Sequence, residues 1–343
     1  MKRLTLFLCM LLLLLLSVSC KDVLQPDIPS QVELDITDQV EPDNTEADHE
    51  KQLQPHRSED LEVGVDYAIV EDGDLQIKVD DLTTVLEINA LPDSEIRQDD
   101  YQRILLLTDP SDQYQHGILG DDLEAMSVTI VQLSDQPDVI SKFSVPEGWV
   151  IESIGPIWSD WDGDGEREIL LTLSNSISGS KLVLYDEGGN ILAESSPIGK
   201  GFRWRHALAI EAFGENGQRL LVDVQTPHIG GNVSFYSWNK EKKLIEIEAS
   251  LLGYSTHDIG SRDMEMYALI KDEQSEQVLL IIPSQSKTEI AALRLVSGVI
   301  KEVWRIPLGG KLSGNLELIE ENGVETIRTI VDNNLEVLLN IPE

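Results

Sequence analysis

The stretch from Asp160 to Glu168 reads D-W-D-G-D-G-E-R-E and places acidic side chains at alternate positions around two glycines. Asp160, Asp162 and Asp164 stand at positions 1, 3 and 5. The backbone carbonyl of Glu166 falls at position 7, and the carboxylate of Glu168 falls at position 9. Calcium takes about six to eight oxygen ligands, mostly from carboxylates and carbonyls. The nonapeptide therefore predicts a calcium-binding loop with these five residues as ligands.

The glycines and the flanking residues indicate which kind of loop this is. Gly163 and Gly165 permit the backbone conformations that a tight turn around an ion requires. An EF-hand loop needs a bidentate Glu at its twelfth position, where this chain has Leu171. Strand-like apolar runs precede and follow the loop, at 154–158 and 169–173. The loop is therefore expected to join two β-strands.

With its flanking strands, the loop resembles the FG-GAP and VCBS-type repeats of integrin-like β-propellers. In that family, calcium loops link the first two strands of a blade, so the resemblance implies a propeller stabilised by calcium. The family includes binding proteins, adhesins and enzymes, and the resemblance rests on a single complete loop. The alternative is a solvated acidic turn without an ion.

The composition is that of a globular protein with a strongly acidic balance. Of 343 residues, 41% are hydrophobic, which is enough to fill a sizeable core. The chain has 62 acidic and 26 basic residues, for a formal charge of −36, which argues against binding to nucleic acid. The two cysteines, Cys9 and Cys20, both precede the folded part, so no disulfide is expected there.

Residues 1–19 have the form of a secretory signal peptide. Lys2 and Arg3 precede an apolar run at 4–16 that is short for a permanent membrane-spanning helix. The segment S-V-S-C that ends at Cys20 resembles a bacterial lipobox, which implies that Cys20 is lipidated and becomes the first mature residue. The protein is then expected in the bacterial cell envelope, anchored to a membrane and facing outside the cytoplasm. Secretion without a lipid is the alternative.

The chain after Cys20 divides into two regions. Residues 20–62 are rich in Asp, Glu, Gln and Pro and show no apolar periodicity, so they are predicted to form a disordered acidic tether. Residues 63–343 contain many short strand-like segments and are predicted to form the propeller domain.

An internal repeat supports the propeller prediction. The segment D-W-D-G-D-G at 160–165 aligns with A-F-G-E-N-G at 212–217, at an offset of 52 residues. Weaker copies place matching strands at 104–107, 278–280 and 316–320. Repeats of this length, with four strands each, are typical of propeller blades.

The spacing of the loops predicts an all-β propeller with five blades, each a four-stranded antiparallel sheet. In this scheme a strand from 67–79 completes the last blade beside 324–341 and closes the ring. Six blades is the alternative, because the repeat does not assign the segments 67–70 and 75–79.

Two classes of function are compatible with these features. The first is a surface-displayed binding or interaction module, and the second is an extracytoplasmic enzyme such as a glycan hydrolase. A glycosidase needs two carboxyl groups that converge at the site, and the abundant Asp and Glu residues do not single out such a pair. The chain has no serine nucleophile elbow, P-loop, HExxH helix or dinucleotide fingerprint.

Propeller topology predicts where a ligand binds. The calcium loop joins strands a and b of its blade, whereas b–c loops and d–a connections open on the other face. The candidate ligand-binding residues on that other face are His116, Arg203, Arg205, His206, His228, His257, Arg262 and Gln285. Cations and imidazoles at one mouth suggest a site for an anionic small molecule, a glycan, a protein ligand or a transition metal. Alternatively, they pair with local carboxylates such as Asp121, Asp258 and Asp263.

The lipobox resemblance can be tested by changing Cys20 to Ser. We expect the parent protein to incorporate a labelled fatty acid and to fractionate with membranes, because the acylated cysteine is the anchor. The C20S variant should lose the label and move to the soluble fraction. A variant that stays with the membranes, as the parent does, contradicts lipid anchoring at this residue.

Overall fold

The computed structural model describes residues 35–36, 56–57, 65–69, 73–79, 81–272, 277–321 and 324–342. These residues all belong to one compact unit, which spans 32–343. The predicted signal peptide, Cys20 and most of the predicted tether lie outside the described residues. Within the described ranges, no helix is both long enough and apolar enough to cross a bilayer.

The described strands pair into six antiparallel sheets of four strands each, which we number in chain order. The first described strand, β1 (Asp35–Ile36), belongs to the last sheet. Sheet 1 contains β2 (His56–Arg57), β3 (Val65–Ile69), β4 (Leu75–Val79) and β5 (Leu82–Leu86). Sheet 2 contains β6 (Arg97–Gln98), β7 (Arg103–Ser111), β8 (Glu124–Gln132) and β9 (Asp138–Ser144). The short β10 (Val150–Ile151) follows.

Sheet 3 contains β11 (Ile157–Ser159), β12 (Glu168–Asn175), β13 (Gly179–Tyr185) and β14 (Ile191–Glu194). Sheet 4 contains β15 (Arg205–Glu211), β16 (Leu220–Gln225), β17 (Asn232–Asn239) and β18 (Leu244–Leu252). Sheet 5 contains β19 (Ala268–Lys271), β20 (Val278–Pro283), β21 (Glu289–Val296) and β22 (Val299–Pro307). Sheet 6 contains β23 (Glu317–Glu321), β24 (Val324–Val331), β25 (Leu335–Asn340) and, paired with β25, β1. Single turns of 3₁₀ helix lie at Glu215–Gly217 and Asp332–Asn334.

Two further contacts join sheets 2, 3 and 4 at their edges. Strand β10 pairs with both β8 and β12, and β14 forms one parallel pair with β18 through Glu194 and Leu244. Elsewhere, each sheet is a simple antiparallel meander, so its four strands a to d alternate in direction.

Successive sheets pack face to face, which explains why the inner strands are continuously apolar. In β7, Ile104 and Leu106 contact sheet 1, whereas Leu105 and Leu107 contact sheet 3, and all four side chains are fully buried. Comparable apolar layers lie between sheets 3 and 4, 4 and 5, and 5 and 6. A strand buried on both faces loses the alternation of polar and apolar residues. The fold is a β-propeller, as the sequence predicts.

The strand pairing differs from the five-blade prediction. Residues 65–69 and 75–79 do not complete the last blade, because they pair with each other and with β5 in a sheet of their own. The partner of β25 is instead Asp35–Ile36. The loop spacing missed the first sheet because its a–b connection, at 58–64, has no counterpart of the acidic loop.

Two strands also lie inside the predicted tether. Asp35–Ile36 and His56–Arg57 pair with sheets 6 and 1, so the propeller recruits residues that precede position 63. Strands this short pair through their backbone and need no apolar periodicity, which is why the composition of 20–62 did not reveal them.

Candidate functional site

The b–c loops and the d–a connections form one end of the propeller, which we call the loop face. The loops of this face are joined by backbone hydrogen bonds. The Thr226 amide donates to the Trp204 carbonyl at 2.9 Å, and the Gly260 amide donates to the Ile118 carbonyl at 2.8 Å. Gly201 approaches the b–c loop of sheet 3 so closely that an added Cβ would lie 1.9 Å from the Ser176 carbonyl oxygen. The loop face is therefore one connected surface.

Three of the predicted histidines meet at a buried tryptophan on this face. Trp204, which is 3% exposed, stacks on His206 with ring centroids 5.2 Å apart and on His228 at 6.2 Å. The ring of His257 lies 4.9 Å from the same tryptophan. The three histidines lie on the predicted face, whereas Trp204 was not predicted as their common contact.

The hydrogen bonds of this cluster define the proton positions. His257 donates its Nε2 proton to the Ser261 carbonyl at 3.0 Å, so its Nδ1 accepts from His228 Nε2 at 3.1 Å. His206 Nδ1 lies 2.9 Å from the hydroxyl of Thr256. Two of the three histidines thus hold each other in a chain that ends on a backbone carbonyl.

Burial keeps these imidazoles uncharged at neutral pH. It lowers the pKa of His206 to about 3, with repulsion from His257 and His228 as further causes. It lowers the pKa of His228 to about 4, with further contributions from His257 and Lys287, and it also lowers the pKa of His257. Neutral, hydrogen-bonded histidines supply no positive charge for an anionic ligand.

The histidines do not form a metal centre either. Among the described residues, the group whose ligand atoms lie close enough to share an ion is Asp160, Asp162 and Asp164, within 4.8 Å of one another. The geometry of the histidine cluster matches a packed core that ties the loops together.

His116 stands apart from this cluster and contacts a buried acid that sequence analysis missed. Its Nδ1 lies 2.5 Å from Glu152 Oε1, and Ser174 donates to the other carboxyl oxygen of Glu152. Glu152 is 0% exposed, and burial raises its pKa. The backbone carbonyl of Glu152 accepts a hydrogen bond from Trp204 Nε1 at 2.9 Å, which links the two groups.

Glu124 is a second buried acid near this site. It is 2% exposed, and burial together with repulsion from Glu152 raises its pKa to about 10. Glu152 interrupts an apolar run, W-V-I-E-S at 149–153, whereas Glu124 follows Asp121 and Asp122 and precedes the segment A-M-S-V at 125–128. A lone acid in an apolar run is the signal that could have identified Glu152.

The remaining predicted ligand residues are occupied by local partners. Arg262 pairs with Asp93 at 2.7 Å and with Asp121 at 2.5 Å. Arg205, which is 3% exposed, lies 3.5 Å from the buried carboxylate of Asp223. Asp121 is one of the local carboxylates that the sequence offered as alternative partners for these side chains, and Arg262 pairs with it.

Arg203 and Gln285 each donate to a backbone carbonyl. Arg203 bonds to Phe202 and Gln285 to Pro227, both at 2.8 Å. Asp258 and Asp263 are the other local carboxylates offered by the sequence as alternative partners. Asp258 pairs with Lys287 and Lys311, and Asp263 accepts a hydrogen bond from the Ser261 hydroxyl at 2.9 Å.

An apolar cluster lies between the loop face and the propeller interior. Ile118, Leu119, Ile154 and Trp204 are buried together, with Met264 packed against them, and they come from four different connections. Ile154 and Met264 also line a cavity of about 420 Å³ between the innermost strands β6, β11 and β15. The cluster therefore forms the wall of this cavity on the side of the loop face.

Large apolar side chains project from the loop face itself. They are unusually exposed for their type, between 40% and 82%, and comprise Leu123, Ile177, Phe202, Ile229, Leu252 and Ile259. Their loops touch, since the Gly253 amide donates to the Gly231 carbonyl at 2.9 Å. The exposed apolar residues therefore lie on the same connected loops as the buried tryptophan and its histidines.

The acidic loop joins β11 to β12 on the opposite face, which is the a–b position that the sequence predicts. The carboxylate of Asp160 accepts the amides of Gly163 at 2.7 Å and Gly165 at 3.0 Å, so the loop wraps around it. Lys240 pairs with Asp162. The side chain of Glu166 is exposed, consistent with a role for its carbonyl alone.

Glu168 is the most strongly perturbed group of this loop. It is 4% exposed and accepts the Trp161 amide at 2.8 Å. Burial and repulsion from Asp162, Asp164 and Asp160 raise its pKa to about 7. Crowded carboxylates with this much mutual repulsion are chemically suited to a divalent cation.

Comparison with known proteins identifies no family for this chain. No protein-family model matches the chain, and none of the curated proteins matches it. Among solved structures, it is similar to BBS1N, solved in complex with ARL6DN, with 10% identity over 82% of this chain and 75% of that chain and a TM-score of 0.47. The WD40 domain of Toxoplasma gondii coronin shows 12% identity over 82% and 79%, with a TM-score of 0.41. The Dos1 propeller shows 7% identity over 81% and 74%, with a TM-score of 0.42. These similarities are too remote to bear on function.

The buried histidines predict how stability depends on pH. Because the folded pKa of His228 is about 4 and the unfolded pKa is near 6.5, the unfolded chain binds the proton more tightly. This stability is fully present above pH 6.5 and is lost as the pH falls toward 4. The His228→Gln variant should therefore lose less stability than the parent between pH 7.5 and 5, by about 1–2 kcal/mol in urea unfolding.

A matched control separates titration from loop damage. Gln285→Ala removes a neutral side chain that contacts the same loop at Pro227, so its loss of stability on acidification should equal that of the parent. Parallel pH profiles for the parent and His228→Gln would show that burial of this imidazole does not govern acid sensitivity.

Proposed function

We propose that this protein is a lipid-anchored envelope propeller that docks a protein partner on its loop face. The fold is a propeller, and the anchor is inferred from the lipobox-like segment that ends at Cys20. The observation that carries the proposal is the set of exposed apolar residues on one connected surface.

The exposed apolar side chains of this surface are unfavourable in contact with water. Ile177 is 82% exposed, Leu252 71%, Ile259 69% and Ile229 63%. Burying one such side chain contributes about 1.5–3 kcal/mol, so a partner that covers several of them gains substantial binding energy. Several large apolar side chains exposed on the connected loops of one face are typical of an interaction site.

The buried cluster below this surface supports a pre-formed site. Trp204 and the histidines hold the connection at 195–204 against the loops at 226–231 and 253–267. Loops fixed in this way lose little conformational entropy on binding, which favours affinity. In this proposal the histidines, Arg205 and Arg262 shape the surface and do not themselves bind the ligand.

Protein docking fits the loop face better than the alternative of a glycan hydrolase with its site at the axis. The two acids with raised pKa on this side, Glu124 and Glu152, are 2% and 0% exposed, so a polysaccharide cannot reach them. Retaining and inverting glycosidases both need two carboxyl groups that flank the substrate bond.

Photo-crosslinking in intact cells tests the docking proposal. A photoreactive amino acid at position 177 or 229 should give a discrete adduct of higher mass, because these positions lie inside the interface. The same residue at position 82, where Leu82 is 58% exposed on the outer strand of sheet 1, serves as the control.

A second change distinguishes docking from chance contact. Adding Ile259→Asp should reduce the adduct from position 229 by about tenfold, since an apolar interface is weakened by more than about 1.4 kcal/mol when it must bury a carboxylate. Equal adducts from positions 82 and 229, or no effect of Ile259→Asp, would contradict a specific interface on the loop face.

We further propose, from the resemblance to FG-GAP and VCBS-type repeats, that the acidic loop binds one structural calcium ion. Asp160, Asp162, Asp164 and Glu168 would hold it through their carboxylates and Glu166 through its carbonyl. The raised pKa of Glu168 and the proximity of the three aspartates support this assignment. The ion would relieve the repulsion among these groups and fix the turn between β11 and β12.

Calcium titration of the thermal melt tests the site. At about a hundred times the dissociation constant, calcium should add about 2.7 kcal/mol to the stability of the parent. Asp162→Asn should lose this gain, whereas Glu166→Gln should keep it, because position 166 contributes only its carbonyl. The gain should shrink at pH 5, where protons compete for the carboxylates. A parent protein that melts identically in calcium and in chelator would exclude the site.

A further inference from the structure

Three arginines occupy the same position in three successive sheets. Each one directly precedes the first residue of strand b that pairs with strand a, as the pairs Gln98–Ile104, Ser159–Glu168 and Glu211–Leu220 show. The residues at this position are Arg103 in sheet 2, Arg167 in sheet 3 and Arg219 in sheet 4. The repeat offset of 52 residues relates Arg167 to Arg219 in the sequence, but sequence analysis did not single them out.

The first of these arginines is neutralised by carboxylates. Arg103 donates to Asp99 at 2.7 Å and to Glu187 at 2.6 Å, and its guanidinium lies 5.0 Å from the Trp158 ring. The carboxyl group of Asp99 is fully buried beside it. Arg103 is therefore satisfied and has a structural role.

The other two arginines are not neutralised in this way. Arg167 pairs with Asp100 at 3.2 Å, but the Asp100 side chain is 92% exposed, so solvent screens this contact. Arg219 donates to the Ser159 hydroxyl at 2.7 Å and to the Ile210 carbonyl at 3.2 Å. Its Nε atom is buried without an acceptor, and no described carboxylate forms an ion pair with it.

Both of these arginines line the cavity of about 420 Å³ between the innermost strands. Arg97 lines it too, but it pairs with Glu95 at 2.5 Å. The other acids in the lining are Glu211 and Glu265, and neither forms an ion pair with Arg167 or Arg219. The lining thus combines two guanidinium groups that lack a buried carboxylate partner with two carboxylates that can accept hydrogen bonds.

We propose that this cavity binds a small molecule that carries a carboxylate or phosphate group, held by Arg167 and Arg219. A planar guanidinium presents paired N–H donors that match an oxyanion, and two of them can hold one from adjacent sheets. Hydroxyl or amino groups elsewhere on the ligand would donate to Glu211 and Glu265. The hydroxyl of Ser159, which already accepts from Arg219, orients that side chain toward the cavity wall.

This site is distinct from the proposed docking surface. None of the exposed apolar residues of the docking surface lines the cavity, and the two arginines lie at the a–b end, where Arg167 belongs to the acidic loop. Charge favours the proposal as well. In a chain with a formal charge of −36, the charged side chains of this lining comprise three arginines and three glutamates, so anions meet less repulsion here than on the surface.

Calorimetry on the full-length protein in detergent, at low ionic strength, tests the proposal with two probes. The probes are D-gluconate and glycerol 3-phosphate, with glucose and glycerol as uncharged controls. We expect at least one charged probe to bind and neither uncharged control to bind. Whichever charged probe binds more tightly identifies the oxyanion as a carboxylate or a phosphate.

Variants assign the binding to the two arginines. Arg219→Gln and Arg167→Gln should each weaken binding by about tenfold or more, because each removes a charge-assisted hydrogen bond. Arg219→Lys keeps the charge without the paired donors and should bind more weakly than the parent but more tightly than Arg219→Gln. Arg294→Gln, at an arginine outside the cavity that pairs with Asp272, is the matched control and should bind as the parent does.

Several results would overturn the proposal. The first is that neither charged probe binds at a concentration of about 10 mM, since a dissociation constant above that value indicates non-specific binding. Unchanged binding in both Arg167→Gln and Arg219→Gln would place the ligand elsewhere. If Arg219→Gln does not fold, Arg167→Gln and Arg219→Lys give the decision. Ile177→Asp should leave probe binding intact, so failure of the docking surface and failure of this site are separate outcomes.

Discussion

The inner strands of this propeller are buried on both faces, and the distribution of its polar groups follows from that constraint. Ile104 and Leu106 pack on one neighbouring sheet while Leu105 and Leu107 pack on the other. Burial of apolar area at about 25 cal/mol per Å² holds the sheets together, and it leaves little room for charged groups in the strands. Polar side chains within the strands pair across them, as Thr108 does with Thr129 at 2.9 Å. Ligand-binding chemistry is consequently confined to the loops and the axial cavity.

On the loop face, burial raises the pKa of acids and lowers the pKa of histidines, and both shifts favour the uncharged form. It lowers the pKa of His206 and His228 and raises the pKa of Glu124 and Glu152. In each case the neutral form is favoured, because a charge is poorly solvated there. In a chain with a formal charge of −36, these buried acids and histidines of the loop face therefore favour their uncharged forms. Arg167 and Arg219, which lack a buried carboxylate partner, line the cavity between the innermost strands.

The sequence predicted the features that depend on local spacing. The acidic loop lies between two strands, and the repeat of 52 residues matches successive sheets. The sequence also placed His206, His228 and His257 on one face of the propeller, because the alternating direction of the strands determines the face on which each loop lies. Their chemistry was not predictable, since proton affinity depends on burial by Trp204, which is a tertiary contact.

Features that depend on long-range contact were missed or wrong. The five-blade count failed because sheet 1 carries no acidic loop and because the strand that closes the ring, Asp35–Ile36 in sheet 6, is only two residues long. Glu124 and Glu152 were passed over because an acidic chain makes each single acid uninformative. Arg103 differs from Arg167 and Arg219 in having two carboxylate partners, Asp99 in its own a–b loop and Glu187 in sheet 3, and the contact with Glu187 is one that no spacing in the chain reveals.

The position of the ring-closing strand determines how the propeller would respond to force applied through the proposed lipid anchor. Asp35–Ile36 pairs with β25 at two positions, Asp35 with Leu338 and Ile36 with Val337, and it lies 15 residues after Cys20. In a chain held by lipid at Cys20, tension on the tether reaches the propeller first at this short strand. Two residue pairs resist far less force than the six pairs between β24 and β25. This strand is therefore expected to detach first when force is applied through the tether. Stretching the tether would open the ring at the seam between the last sheet and the first before it disturbed the apolar layers between the others.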